Sequence, residues 1–160
     1  MDKIAVAVLV SGGGTNLQAI LDAQKRGELP HAEVKAVISS RADAYALERA
    51  RNAGVAAFVA ERRSCVSQQE FEKKIEDAIE NVGAEIIVLA GFMSILSASF
   101  TSRYPERIIN VHPSLIPSFC GKGFYGLRVH EAVLAAGEKV TGATVQYVNE
   151  THDGGRIEFQ

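Results

Sequence analysis

Only two of the 160 residues are cysteine, Cys65 and Cys120, set far apart with no C-x-x-C and no second pair. That scarcity argues against a disulfide framework and against a structural zinc site, and it suits the reducing cytoplasm. Charge of one sign is lacking too. The 17 basic and 19 acidic residues are scattered and leave a formal charge of −2, so the basic stripe that nucleic-acid binding needs is missing. No apolar run approaches the roughly 20 residues of a membrane span. The opening "MDKIAVAVLVSGGG" places a lysine before an apolar stretch, as a secretion signal does, but the stretch is short and enters a Gly-rich turn without a small-x-small cleavage site. Chemical motifs are missing as well. There is no H-E-x-x-H or other close ligand spacing, no G-x-x-x-x-G-K-[ST] and no G-x-S-x-G elbow, and Cys120 has no evident activating neighbour. No metal, nucleic-acid or membrane partner is therefore expected.

What the chain does have is length and apolar content, 47% hydrophobic, sufficient for one core. Apolar runs rich in β-branched residues recur at 3–10, 34–39, 54–60, 84–90 and 107–112. They are continuous rather than alternating, which is the pattern of strands covered on both faces. Helix-like stretches lie between them at 15–27, 43–54 and 67–83. Asp43 is placed to cap the second, glycines 27, 54 and 83 follow where helices should stop, and Phe71, Ile75, Ala78, Ile79 and Val82 keep helical spacing. Alternating strand and helix predicts an α/β fold with a mostly parallel sheet and right-handed crossovers. Beyond 113 the pattern predicts a Pro/Gly-containing loop to 126, a helix near 127–136, and a half-solvated antiparallel strand in "VTGATVQYVN", 140–149.

Two places invite chemistry. "VLVSGGGTNLQAI" reads as a strand, a flexible turn and a helix whose first N–H groups are free, and phosphate is the natural guest of such a site. A dinucleotide site would need a third glycine where Leu17 stands, and an acid after the second strand, which instead ends in Ser39, Ser40 and Arg41. A purely structural turn, whose glycines let helix and sheet pack closely, is the competing reading.

The second place is "RIINVHPSLIP", 107–117, where a buried-looking strand ends in an amide, an imidazole and a proline. Ligands of open α/β sheets sit beyond the carboxyl ends of strands. Asn110 and His112, two apart, point the same way and can converge on one oxygen or one proton. Taken alone they also suit a bland role in satisfying loop backbone. Asp153, in "NETHDGGRI", is the third group, since an aspartate beside a histidine can fix its tautomer and supply the orienting charge. Asp153 before two glycines equally suits a turn. His31 and His130 read as loop and helix-surface residues, and His152 adjoins Asp153.

Together, "SGGGTNLQAI", "LAGFMSIL" (89–96), "INVHPSLIPSF" (109–119) and "GATVQYVNETHDGG" (142–155) resemble, in order and over essentially the whole chain, the glycinamide ribonucleotide formyltransferase family. The resemblance implies a Rossmann-like formyltransferase fold with helices on both faces of the sheet. It implies a cytoplasmic enzyme of purine biosynthesis and one-carbon metabolism. Such an enzyme moves the formyl group of 10-formyltetrahydrofolate, its cosubstrate, to the amine of glycinamide ribonucleotide without a metal, and its family allows a homodimer.

By position, Gly14, Thr15 and Asn16 would hold the substrate phosphate. Met93, Ser94, Ile95 and Leu96, with Gln68, would border the folate; Asn149, Glu150, Thr151, His152 and Asp153 would clasp its pterin end. Asn110 would donate to the oxyanion and contact the folate, His112 would act as proton donor, and Asp153 would raise the pKa of His112.

The sequence departs from the family at several points. Ser94 and Gln68 stand where arginines are common, Gln146 stands for a histidine, and Arg156 and Glu158 follow the aspartate where proline and an apolar residue are usual. Residues 1–160 are expected to form a single formyltransferase domain lacking the family's C-terminal strand and helix segment. The alternatives are a truncated, non-catalytic Rossmann-like module that binds a phosphate ligand, a related folate formyl hydrolase and a methionyl-tRNA formyltransferase.

Overall fold

A computed structural model of the chain describes residues 2–151 and 153–160. It divides into two compact units, Met1–Leu96 and Ser97–Gln160.

In the first unit the elements follow the expected alternation: β1 (Ile4–Val10), α1 (Thr15–Lys25), β2 (Ala32–Ser39), α2 (Tyr45–Asn52), β3 (Ala56–Val59), α3 (Gln68–Val82) and β4 (Ile86–Leu89). The strands lie in the order β3-β2-β1-β4 and pair in parallel. Continuous apolarity in β1 has a direct structural cause. Val6, Val8 and Val10 share one apolar cluster with Leu17 and Leu21 of α1 and Ala46 and Ala50 of α2. Ala7 and Leu9, pointing the other way, are equally shut off from water. The chain steps outward from β1 to β3 and then returns to β4 on the far side of β1. With right-handed crossovers this reversal carries α3, which buries Phe71, Ile75 and Ile79, to the face opposite α1 and α2. It also makes a topological switch point between β1 and β4.

One expectation is corrected here. Asp43 does not cap α2; the N-cap is Ala44, with no side-chain bond. The Asp43 carboxylate instead accepts from Arg41 Nε and Nη2, at 3.0 and 2.8 Å. The free N–H of Ala46 is taken by the carbonyl of Gly12 at 3.1 Å, so a tertiary bond replaces the local cap. Glycines 27, 54 and 83 do end their helices with positive φ.

The second unit holds α4 (Ala98–Thr101), β5 (Ile108–His112), α5 (Leu127–Ala135), β6 (Thr144–Tyr147) and β7 (Ile157–Phe159). Strand β6 lies between β5 and β7 and is antiparallel to both. Asn110 stands opposite Gln146 and His112 opposite Thr144. The expected strand at 140–149 contracts to four residues. Neither β7 nor α4 was legible in the sequence, being three and four residues long. What makes β7 possible is close approach: a Cβ on Gly155 would lie 1.6 Å from the carbonyl oxygen of Tyr147, and only glycine admits that contact. Among the described residues no helix is long and apolar enough to cross a membrane.

Candidate active site

At the carboxyl end of β1 the chain enters the Gly-rich turn. Gly14 caps α1 with φ 76° and, as glycine, supplies no side-chain cap. Its first N–H groups have no intrahelical partner by construction and carry the positive end of the helix dipole. The turn's carbonyls, by contrast, are engaged by α2: Ala46 N–H donates to Gly12, and Arg49 Nε donates to Gly13 at 2.7 Å. Arg49 also donates to Gln18 at 3.1 Å and sits 4.9 Å over the Tyr45 ring. Sequence reading did not single out Arg49; its only local signal is a cation on a helix that follows the Gly-rich turn.

Across the switch point, the segment after β4 is tied to the same turn. Buried Ser11 accepts the N–H of Met93 at 2.8 Å and shares a 2.6 Å hydroxyl contact with Ser40. Gln68, at the start of α3, is committed to this scaffold: its amide donates to Glu72 at 3.1 Å and to the Ile95 carbonyl at 2.9 Å, and accepts from Arg62 at 3.2 Å. Gln68 therefore fixes the 93–96 segment by its backbone. Met93 and Ile95 are left exposed, while Ser94 and Leu96 are half-buried.

In the second unit a separate polar cluster surrounds the end of β5. His112 is 5% exposed, and its Nε2 lies 2.8 Å from the carbonyl of Phe119. A carbonyl only accepts, so Nε2 carries the hydrogen and the neutral ring keeps its lone pair on Nδ1. The tautomer is thus set by loop backbone, a role that sequence reasoning gave to Asp153. Two residues further, the N–H of Gly121 donates to Asp153 Oδ2 at 2.7 Å; Asp153 Oδ1 accepts from Gln146 Nε2 at 3.1 Å. Gln146 faces Asn110 across the strand pair, and directly opposed residues share a face. Asp153 is accordingly linked to the strand that carries Asn110 and His112 through Gln146 and the 119–121 segment. That segment is anchored in turn: Ser114 Oγ donates to Ser118, and buried Thr144 donates to the Ser114 carbonyl and accepts the N–H of Ile116.

The 149–153 loop is a turn built on itself. Asn149 accepts the N–H of Thr151 at 2.9 Å, and Gly154 N–H donates to the Thr151 carbonyl. Asn149, Glu150 and Thr151 are exposed, and Asp153 is held with φ 52°. His152 lies outside the described residues.

Burial, and next the nearby charge of Asp153, push the Cys120 thiol above its ordinary range. Cys120 is thus a poor nucleophile at neutral pH. Iodoacetamide should label it slowly at pH 8, and Asp153→Asn should speed that labelling by removing the second cause while burial remains. Peptide mass mapping over time gives the rate; an unchanged rate in the variant would take Asp153 out of the thiol's surroundings.

A parallel α/β sheet with a Gly-rich turn at its switch point is a fold of the Rossmann-like class, one on which many group-transfer enzymes are built. The sequence pattern of the formyl transferase family matches residues 4–160, and the chain belongs to that family. It is 42% identical over 155 residues to the phosphoribosylglycinamide formyltransferase of Haemophilus influenzae, covering 97% of this chain and 70% of that protein. Against the trifunctional purine biosynthetic protein adenosine-3 of Gallus gallus the identity is 41%, over 99% of this chain and 15% of that much longer one. The crystal structure of glycinamide ribonucleotide transformylase 1 from Symbiobacterium toebii superposes with a TM-score of 0.89 at 40% identity, covering 98% of this chain and 71% of that one. The α/β formyltransferase fold, mostly parallel with antiparallel C-terminal strands, is thereby shown.

Proposed function

We propose that this chain transfers the formyl group of 10-formyltetrahydrofolate to the amine of glycinamide ribonucleotide, a step of purine synthesis. The observation that carries this reading is the cluster at the end of β5, where Asp153 is pinned by two N–H donors beside the strand partner of Asn110.

The amine nitrogen attacks the formyl carbon, and the carbonyl oxygen becomes an oxyanion. Asn110 donates a hydrogen bond to it, an interaction worth about 3 kcal/mol of barrier when preorganised. The bond from carbon to N10 then breaks, the amine nitrogen loses a proton and N10 gains one. With the Nε2 hydrogen committed to Phe119, Nδ1 of His112 is the atom that takes and gives this proton. Asp153 supplies a negative charge beside this proton transfer.

Gly14, Thr15 and Asn16 receive the substrate phosphate. Met93, Ser94, Ile95 and Leu96 border the folate, held by Gln68, and the loop at 149–153 engages the pterin. Two unpaired thiols, Cys65 and Cys120, suit the cytoplasm as the place of work.

Asn110→Ala should lower kcat roughly 100- to 1000-fold while leaving both KM values within a few-fold, the mark of a contact made in the transition state. The assay follows tetrahydrofolate release with the ribonucleotide as acceptor, and a control lacks the amine. Turnover equal to the parent would sink the role of Asn110. Formate release that is just as fast without the amine would convert the reading to a hydrolase.

A further inference from the structure

Gln146 presents an anomaly. It is 2% exposed, one amide hydrogen goes to Asp153 Oδ1, and its carbonyl oxygen Oε1 is buried with no hydrogen-bond partner among the described residues. A buried unpartnered carbonyl costs about 1–3 kcal/mol, and an apolar side chain of equal length would avoid that cost. Native chains keep such costs mainly where a site requires them. Among the described residues the Gln146 side chain engages through its N–H on Asp153, whose other oxygen is fixed by Gly121. Two donors from different segments, one on β6 and one in the 119–121 loop, define the direction of that carboxylate.

We infer that Gln146 is a positioning residue: it is retained at a cost in stability so that its N–H aims the Asp153 carboxylate. The inference rests on the formyl-transfer reading above, in which Asp153 acts through its charge on His112. It separates from a structural role by sign, because a residue kept for packing loses stability when replaced, whereas this one does not.

The test compares Gln146→Met, Gln146→Glu and Gln146→His in the full chain, by thermal unfolding and by steady-state formyl transfer. Gln146→Met keeps length and volume, removes the orphan carbonyl and removes the N–H. It should melt at or above the parent temperature with kcat lowered roughly 10- to 100-fold, the scale of a misplaced catalytic group, and KM nearly unchanged. Gln146→Glu replaces the donor by a second carboxylate and should lose at least as much turnover. Gln146→His keeps an N–H at comparable reach and should restore most of it. Parent-like kcat in Gln146→Met or Gln146→Glu overturns the inference, as does a loss of activity that only tracks a loss of folded protein. Asp153→Asn serves as the reference. If that variant is slow and Gln146→Met is not, the inference alone fails; if Asp153→Asn turns over at the parent rate, the functional reading of the cluster fails.

Discussion

Asp153→Asn should lower kcat for formyl transfer roughly 10²- to 10⁴-fold, the range over which positioned acid–base groups act, while the unfolding temperature moves by no more than about 4 °C. The structure explains why chemistry and stability part company. Asp153 sits at φ 52°, a left-handed conformation that asparagine tolerates as well as aspartate does. The amide oxygen can keep the Gly121 N–H, which now reaches Asp153 at 2.7 Å. The new NH₂ would meet the donor of Gln146, but the opposite atom of that amide, Oε1, lacks a partner among the described residues. Turning the Gln146 amide over supplies the acceptor, so both of these hydrogen bonds are conserved while the negative charge is lost. Steady-state rates and a thermal melt on one preparation decide it. Full turnover would remove Asp153 from the mechanism, and a folded variant without activity would isolate the charge as what matters.

Gly14→Ala should be the most damaging single methyl in the Gly-rich turn. At φ 76° an L side chain is strained, by about 1–2 kcal/mol. Its Cβ would also lie 2.6 Å from the Cβ and 2.9 Å from the Cα of Ala46, and backbone cannot step aside as a flexible side chain can. Overpacking of this kind costs about 1–3 kcal/mol. The combined loss, on the order of 2–5 kcal/mol against a whole-domain stability of about 5–15, should appear as a large drop in denaturant midpoint. Gly13→Ala is the control: nothing lies within 4 Å of its added Cβ and its φ is not positive. It should stay within about 0.5 kcal/mol of the parent. A Gly14→Ala protein as stable as Gly13→Ala would mean that the turn does not approach α2 so closely. If Gly14→Ala folds, displacement of the α1 N–H groups should raise KM for the phosphorylated amine more than it lowers kcat.

The legible parts of the fold are those with local causes. β1, β2 and β4 announce themselves because strands buried on both faces need unbroken apolar sequence, and α3 because Phe71, Ile75 and Ile79 fall on one helical stripe. β7 and α4 escaped because three- and four-residue elements carry no period. β7 exists through pairing with β6 and a glycine contact that local pattern does not encode. Asp43 misled for a related reason: the N–H it was expected to cap belongs to Ala46, and Gly12, distant in sequence, takes it.

The candidate site divides the same way. Asn110 and His112 could be assigned to one face from their spacing alone, since the period of a strand is two. That Phe119 sets the His112 tautomer, that Gln68 spends its amide on Glu72 and Ile95, and that Gln146 holds Asp153 are facts about segments that meet only after folding.

By itself, then, the order of apolar runs and glycines determined an α/β chain with a Gly-rich turn ahead of its first helix and an amide–imidazole pair at a strand end, because each depends on residues adjacent in sequence. Only the tertiary structure decided which donors aim the carboxylate and which carbonyl orients the ring, because hydrogen bonds between distant segments depend on distances that no sequence pattern carries.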